Sequence, residues 1–418
     1  MRANELTVVD ALARISAGEL TPAELVDGCL ERIALREPEV GAWELVDGDA
    51  ARREAGRDPQ GSLRGVPVAV KDIVDVAGLP TRCGTPLRGD HVAAADAWCV
   101  RRLRAAGAVV LGKTVTTEFA YFHPGKTRNP HALDHTPGGS SSGSAAAVAD
   151  MMVPCAIGSQ TAGSTVRPAS YCGVVGFVPG EGRLALDGVQ HLAPSLDRLG
   201  LFARTVEDVR VLYTAIADDA AAPRPGPPPR VLVSDGTAVA DVHPAMRYAV
   251  RHAADRIADL GVPVEPFDAA DLERDWSRAQ SVVMAYDAAR TLADVAAAHR
   301  DQLSERLVEL LDTGAATPDE TYRAALAAAA DGRRTLDDRL DGGAVLLAPA
   351  ATGPAPRDLT ATGDPAMSRP WHLLGGPEIA LPAAETEGLP VGVQLVGAYG
   401  ADDALLDAAA WLAGCLSQ

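Results

Sequence analysis

Three polar residues in this chain stand where their neighbours suit chemistry better than packing. Lys71 closes the apolar run Gly65-Val66-Pro67-Val68-Ala69-Val70, which reads as a buried strand ending in a cation. Ser140 lies in Gly138-Gly139-Ser140-Ser141-Ser142-Gly143-Ser144, just ahead of the apolar run 145–149, so these serines are expected at a helix start. Ser164 ends Gln160-Thr161-Ala162-Gly163-Ser164, where small residues let backbone N–H groups approach a ligand closely. Groups of this kind can hydrolyse an amide, which needs a nucleophile, a group that removes its proton and later protonates the leaving amine, and donors for the tetrahedral oxyanion. A lysine acts as that base only when desolvation or nearby positive charge lowers its pKa, and the apolar run before Lys71 could supply the first. A second hydroxyl such as Ser140 can relay the proton because it both donates and accepts, which makes a histidine unnecessary.

Taken singly, each motif has an ordinary reading. Gly-Ser runs are often linkers, a strand-end lysine is usually solvated, and a serine after glycine is commonly a turn residue. Their joint occurrence, in this order and spacing, favours the chemical reading. The three motifs resemble the amidase signature family, whose members cleave amides with a Ser-Ser-Lys triad, and the spacing is nearest to the malonamidase-like branch. The resemblance runs from about residue 61 to 205 and resumes weakly near the C-terminus. It implies Ser164 as nucleophile, Ser140 as bridging serine and Lys71 as ultimate base, with the backbone N–H groups of Thr161, Ala162, Gly163 and Ser164 forming the oxyanion hole. It also implies an acyl-enzyme that releases ammonia or an amine, with neither metal nor organic cofactor.

Departures from the family pattern bear on the substrate. Members commonly carry Asp-Thr-Gly-Gly-Ser-Ile-Arg at the nucleophile, whereas Gln160-Thr161-Ala162-Gly163-Ser164-Thr165-Val166-Arg167 places the arginine one position later. Three residues span at most ~11 Å, so the guanidinium can lie within one small molecule of Ser164. That placement is similar to malonamidase, where the corresponding arginine holds a free carboxylate, a role suited to its planar fork. The competing reading of Arg167 is a structural ion pair with an acidic residue. Lys113, in Gly112-Lys113-Thr114, is either a second substrate cation or structural, and Val178-Pro179-Gly180 stands where relatives show Lys-Pro-Thr, which bears on the pocket lining. The expected substrate is a small linear amide carrying a carboxylate, malonamate-like or a ureido acid. Hydrazides, esters, acyl transfer and the glutamine-amidase component of a transamidation complex stay open, as does a homodimer.

Rival motifs fail on context. Gly139-Ser140-Ser141-Ser142-Gly143 fits G-x-S-x-G with Ser141 as nucleophile, but that motif needs a strand directly before it and 131–137 reads as loop. A phosphate-loop pattern from Gly138 meets Ser144 where lysine is required. His131, Asp134 and His135, flanked by Pro130 and Pro137, read as a surface loop rather than a metal site.

The elements that must position these groups are those of an α/β enzyme. Thr21-Pro22-Ala23-Glu24 is a capping box opening a helix with Leu25, Cys29, Leu30 and Ile33 on one face. Strands at 66–70 and 109–111 flank a helix near 96–106. The segment 221–230, with Pro223, Pro225, Pro227, Pro228 and Pro229, is a linker or surface connection. A strand at 231–233, alanine-rich helices to about 340 and late strands at 345–347, 379–381 and 391–396 complete the pattern. In the resembled family such late strands join the same sheet, so the expectation is one amidase domain over 1–418, with a central mixed sheet covered by helices on both faces. A net charge of −18 over 418 residues argues against nucleic-acid or anionic-membrane partners. Six scattered cysteines suggest reduced, mostly buried thiols, and the lack of a long apolar run suggests a cytoplasmic protein. Aromatic content of 4% speaks against a large aromatic-lined cleft.

Overall fold

The alternation of short apolar runs with helical segments resolves into one extended sheet in the computed structural model, which describes residues 2–89 and 92–416. Its strands are β1 (Trp43–Val46), β2 (Pro67–Lys71), β3 (Val109–Thr114), β4 (Cys155–Gln160), β5 (Val175–Val178) and β6 (Arg198–Ala203), then β7 (Val231–Val233), β8 (Val264–Pro266), β9 (Val345–Pro349), β10 (Glu378–Thr386) and β11 (Leu389–Val396). They lie in the order β1-β3-β2-β4-β6-β5-β10-β11-β9-β7-β8. The β3-β2-β4 and β9-β7-β8 groups are parallel, and antiparallel pairs join the centre.

Continuous burial, rather than alternation, marks β2 to β6 because both faces of the sheet are covered. Side chains alternate between the two cores, as a strand requires. Val68, Val70, Ile157 and Leu201 point into one core. Ala69, Ala156 and Phe202, their sequence neighbours, point into the other. The late strands enter through β10, which pairs with β5 on one side and β11 on the other, as expected.

Local signals hold where a cap or a run defines them. Thr21 and Glu24 close a reciprocal capping box on the helix Pro22–Val40, and Trp98–Ala105 is helical. The segment 221–230 takes no regular structure between the helix Val206–Ile216 and β7. The helix Ser142–Ala149 follows the serine-rich run; a Cβ on Gly143 would lie 2.2 Å from the Ala42 carbonyl oxygen, so only glycine lets this helix approach the backbone there. The six cysteines are free and buried. Among the described residues no helix is long and apolar enough to cross a membrane.

Candidate active site

The parallel pairing of β2 with β4 sets Val70 opposite Ile157 and carries Lys71 to the end of the sheet beside Ser159. Lys71 is fully buried; its Nζ lies 2.7 Å from Ser140 Oγ and 2.8 Å from Ser159 Oγ. Burial pulls its pKa from 10.5 down to about 7, against opposing pulls from Asp197 and Cys83. A neutral amine there has one lone pair and two N–H bonds, so it can accept from the Ser140 hydroxyl while donating to Ser159. Ser140 sits just before the helix Ser142–Ala149, after a cis Gly139–Ser140 peptide, and its carbonyl accepts from Thr117 N–H at 3.3 Å. No strand precedes it, which removes the context that a Ser141 nucleophile would need. Ser141 is buried and its Oγ is tied to the backbone of Ser159.

The loop 161–165 connects β4 to the helix Val166–Cys172. Gln160 Oε1 accepts from Thr165 N–H at 3.0 Å and Val166 N–H at 3.1 Å, capping two donors at the helix start. Gln280, from the helix Ala270–Thr291, donates to the Thr161 carbonyl at 2.9 Å, and Thr161 Oγ1 donates to Asp197 at 2.6 Å. With these ends tied, the N–H groups of Ala162, Gly163 and Ser164 have no protein acceptor among the described residues. A Cβ on Gly163 would stand 3.0 Å from Pro365, so the loop lies close against that segment.

Ser140, Thr161, Ala162, Gly163, Ser164 and Arg167 line one cavity of about 20 Å³, the size of a single water site. Tyr121, Phe122, Leu192 and Met284 supply its apolar wall. Arg167 is 3% exposed. Its Nη2 donates to the Gly139 carbonyl at 2.6 Å and to Thr362 Oγ1 at 3.3 Å, the guanidinium carbon stands 5.7 Å from the centre of the Phe122 ring, and among the described residues Nε and Nη1 have no hydrogen-bond partner. Burial lowers its pKa to about 10, which leaves it cationic at neutral pH. The competing reading, a structural ion pair, does not describe it: among the described residues no carboxylate lies within salt-bridge distance of Arg167.

Lys113 stands apart from this cavity. Its Nζ pairs with Asp72 at 2.8 Å and donates to the Pro80 carbonyl and Thr81 Oγ1, so the structural alternative describes it. Val178-Pro179-Gly180 also lies away from the lining: the Pro179 carbonyl accepts from Arg198 and Gly180 N–H donates to Asp402. His131 bonds the Cys172 carbonyl, and Asp134 and His135 pair with each other in a loop. Sequence reasoning missed Ser159, Asp197 and Gln280. Ser159 had a signal, a polar pair ending an otherwise apolar strand. Asp197 and Gln280 had none, because only the fold brings them to Thr161.

A buried low-pKa lysine, two serines and a donor-lined loop on a large mixed sheet define a serine hydrolase of the amidase type. The comparisons agree: the Amidase family model matches residues 24–406, and the chain belongs to the amidase signature family, whose enzymes hydrolyse amide bonds. It is 34% identical to the putative amidase AmiA2 of Mycobacterium tuberculosis (strain ATCC 25618 / H37Rv), over 97% of this chain and 92% of that one. It is 33% identical to a glutamyl-tRNA(Gln) amidotransferase subunit of Symbiobacterium thermophilum, over 94% of this chain and 93% of that one. A crystal structure of an amidase superposes with a TM-score of 0.89 at 32% identity, covering 98% of this chain and 99% of that one.

Proposed function

We propose that this amidohydrolase cleaves a short linear amide that carries a carboxylate, malonamate-like or a ureido acid, through an acyl-enzyme on Ser164. One observation carries the substrate class: a buried, cationic guanidinium with two unpartnered nitrogens lines the same cavity as the Ser164 hydroxyl. A buried cation without a counter-charge is costly, and a substrate carboxylate supplies acceptors for the two free nitrogens. The same placement of Arg167 supports the malonamidase-like branch among the several amidase groups to which the chain is similar.

In this mechanism neutral Lys71 accepts the proton of Ser140 while Ser140 takes that of Ser164 as its Oγ attacks the amide carbon. Among the described residues Ser164 makes no side-chain hydrogen bond to Ser140; catalytic contacts of this kind commonly close only around the substrate. The oxyanion is received by the loop N–H groups of Thr161, Ala162, Gly163 and Ser164. The proton returns through Ser140 to the leaving nitrogen, ammonia or an amine departs, and water attacks the ester to regenerate Ser164. No step of this route calls on a metal or cofactor.

Ammonia release from paired amides, with and without a terminal carboxylate, tests the reading. Faster turnover of the carboxylated members is expected, and equal rates across the pairs would overturn the substrate class. The similarity to an amidotransferase component supports a second reading, a glutamine amidase working within a complex. That reading instead predicts glutaminase activity that rises when the other components of such a complex are supplied and co-elute.

A further inference from the structure

Behind the nucleophile loop lies a buried polar cluster that the proton path does not use. Gln160, Arg198, His372 and Glu378 come from β4, β6, the helix Arg369–Leu374 and β10, and none is more than 6% exposed. Antiparallel pairing places Gln160 opposite Arg198. Arg198 pairs with Glu378 Oε1 at 2.8 Å, donates to the carbonyls of Pro179, Gly376 and His372, and contacts His372 Nδ1. Gln160 Nε2 donates to Glu378 Oε2 at 3.1 Å and lies 3.1 Å from His372 Nδ1. His372 is further held by the Leu196 carbonyl at 2.8 Å.

The orientation of the Gln160 amide follows from its neighbours. Two backbone N–H groups on one side require the carbonyl oxygen, and a carboxylate on the other requires the NH2 group. One side chain therefore joins the loop bearing Ser164 to an ion pair formed between Arg198 on the neighbouring strand β6 and Glu378 on β10. A carboxylate at this position would cap the helix N–H groups equally well, but it would turn an acceptor towards Glu378, and two like charges in a buried site repel strongly.

We propose that Gln160 and Glu378 act as a positioning pair for the amidase reaction: the amide at 160 and the carboxylate at 378 together fix the loop 161–165 and so the aim of Ser164 and its oxyanion donors. The identity of each member depends on the other. This inference rests on Ser164 being the nucleophile, and the wild-type control tests that separately. Neither residue touches the substrate cavity.

The test is a charge swap read by the rate at which a fluorophosphonate labels Ser164, by kcat and KM, and by thermal unfolding. Failure of the wild-type enzyme to label would sink the nucleophile assignment, whereas the comparison among labelled variants addresses the positioning pair. Gln160→Glu should slow labelling and lower kcat by about tenfold or more, with KM nearly unchanged, because groups that serve only the transition state act on kcat. Glu378→Gln should also slow both, since Arg198 loses its carboxylate partner. The double variant Q160E/E378Q keeps the total charge and one donor facing one acceptor, with the new carboxylate still beside Arg198. It should recover to within about threefold of wild type, the non-additivity expected of contacting residues. A double variant that folds but labels no faster than the slower single variant overturns the proposal, as does a Gln160→Glu enzyme of wild-type rate. Should the charged variants fail to fold, Gln160→Met decides: slowed labelling in a folded protein supports the pair, and wild-type labelling refutes it.

Discussion

Lys71 Nζ stands 2.8 Å from Ser159 Oγ, a hydroxyl at the end of β4 on the strand that leads into the loop 161–165. Ser159 thus gives the lysine an acceptor that leaves Ser140 free to face the cavity. Ser159→Ala should lower kcat/KM by about tenfold, the worth of a net buried hydrogen bond of ~1–1.5 kcal/mol. It should also move the pH limb to lower pH, because the ammonium form loses an acceptor. A pH–rate profile on the folded variant checks both effects.

The lysine pKa sets the sign of the pH response. In the proposed route Lys71 must be neutral to accept a proton, so kcat/KM on a non-ionising amide should rise about tenfold per pH unit below pH 7 and level off above it. Stability follows a linked course. Between about pH 7 and the ordinary lysine value of 10.5, the unfolded chain holds a proton that the folded chain has released, so this group's contribution to stability rises with pH there. Chemical denaturation at several pH values should show that slope shrink in Lys71→Met.

Residues sharing one proton path fail as a unit. Ser164→Ala should abolish turnover, Lys71→Ala should come close to it, and the double variant should be little worse than Ser164→Ala alone. Ser140→Ala should be severe as well. Single-turnover assays of acyl-enzyme formation provide the measurement, and a double variant far worse than either single one would separate Lys71 from the path.

Arg167 touches both the cavity and the backbone beside Ser140, so its replacement acts twice. Arg167→Gln should cost anionic amides about 1.5–3 kcal/mol, or ten- to a hundredfold in kcat/KM. Neutral amides should lose less, through the contacts to the Gly139 carbonyl and Thr362 hydroxyl alone. Arg167→Lys should recover part of the anionic loss. Equal losses on both substrate classes would make the arginine a brace for Gly139 rather than a reader of carboxylates.

The buried Lys113–Asp72 pair belongs to stability. Burial raises the Asp72 pKa while Lys113 pulls it back, so the aspartate depends on its partner. Lys113→Met should cost ~3–5 kcal/mol by leaving a buried carboxylate unpaired. Fluorophosphonate labelling of the folded fraction should stay near wild type, and a melting curve with a labelling time course tests the two halves.

Much of this protein is written locally in its chain. The apolar run ending at Lys71 fixes a strand and predicts a desolvated amine, because burial follows from the residues that flank it. Glycines around Ser140 and Ser164 mark backbone that must pack closely, and the Thr21–Glu24 capping box defines a helix start from four residues. The resemblance extended this to a family and a sheet that the structure shows. Other features exist only once distant segments meet. Whether Lys113 serves substrate or structure depends on Asp72 lying against it, and whether Arg167 is paired depends on which of the many acidic residues the fold brings near. Gln160 shows no partner in one dimension, but in three it donates to Glu378, which lies on β10 beyond β6 and β5. Local sequence sets the conformation and burial of a side chain, while hydrogen-bond and charge partners separated by hundreds of residues are decided by strand order and register, which no local pattern encodes.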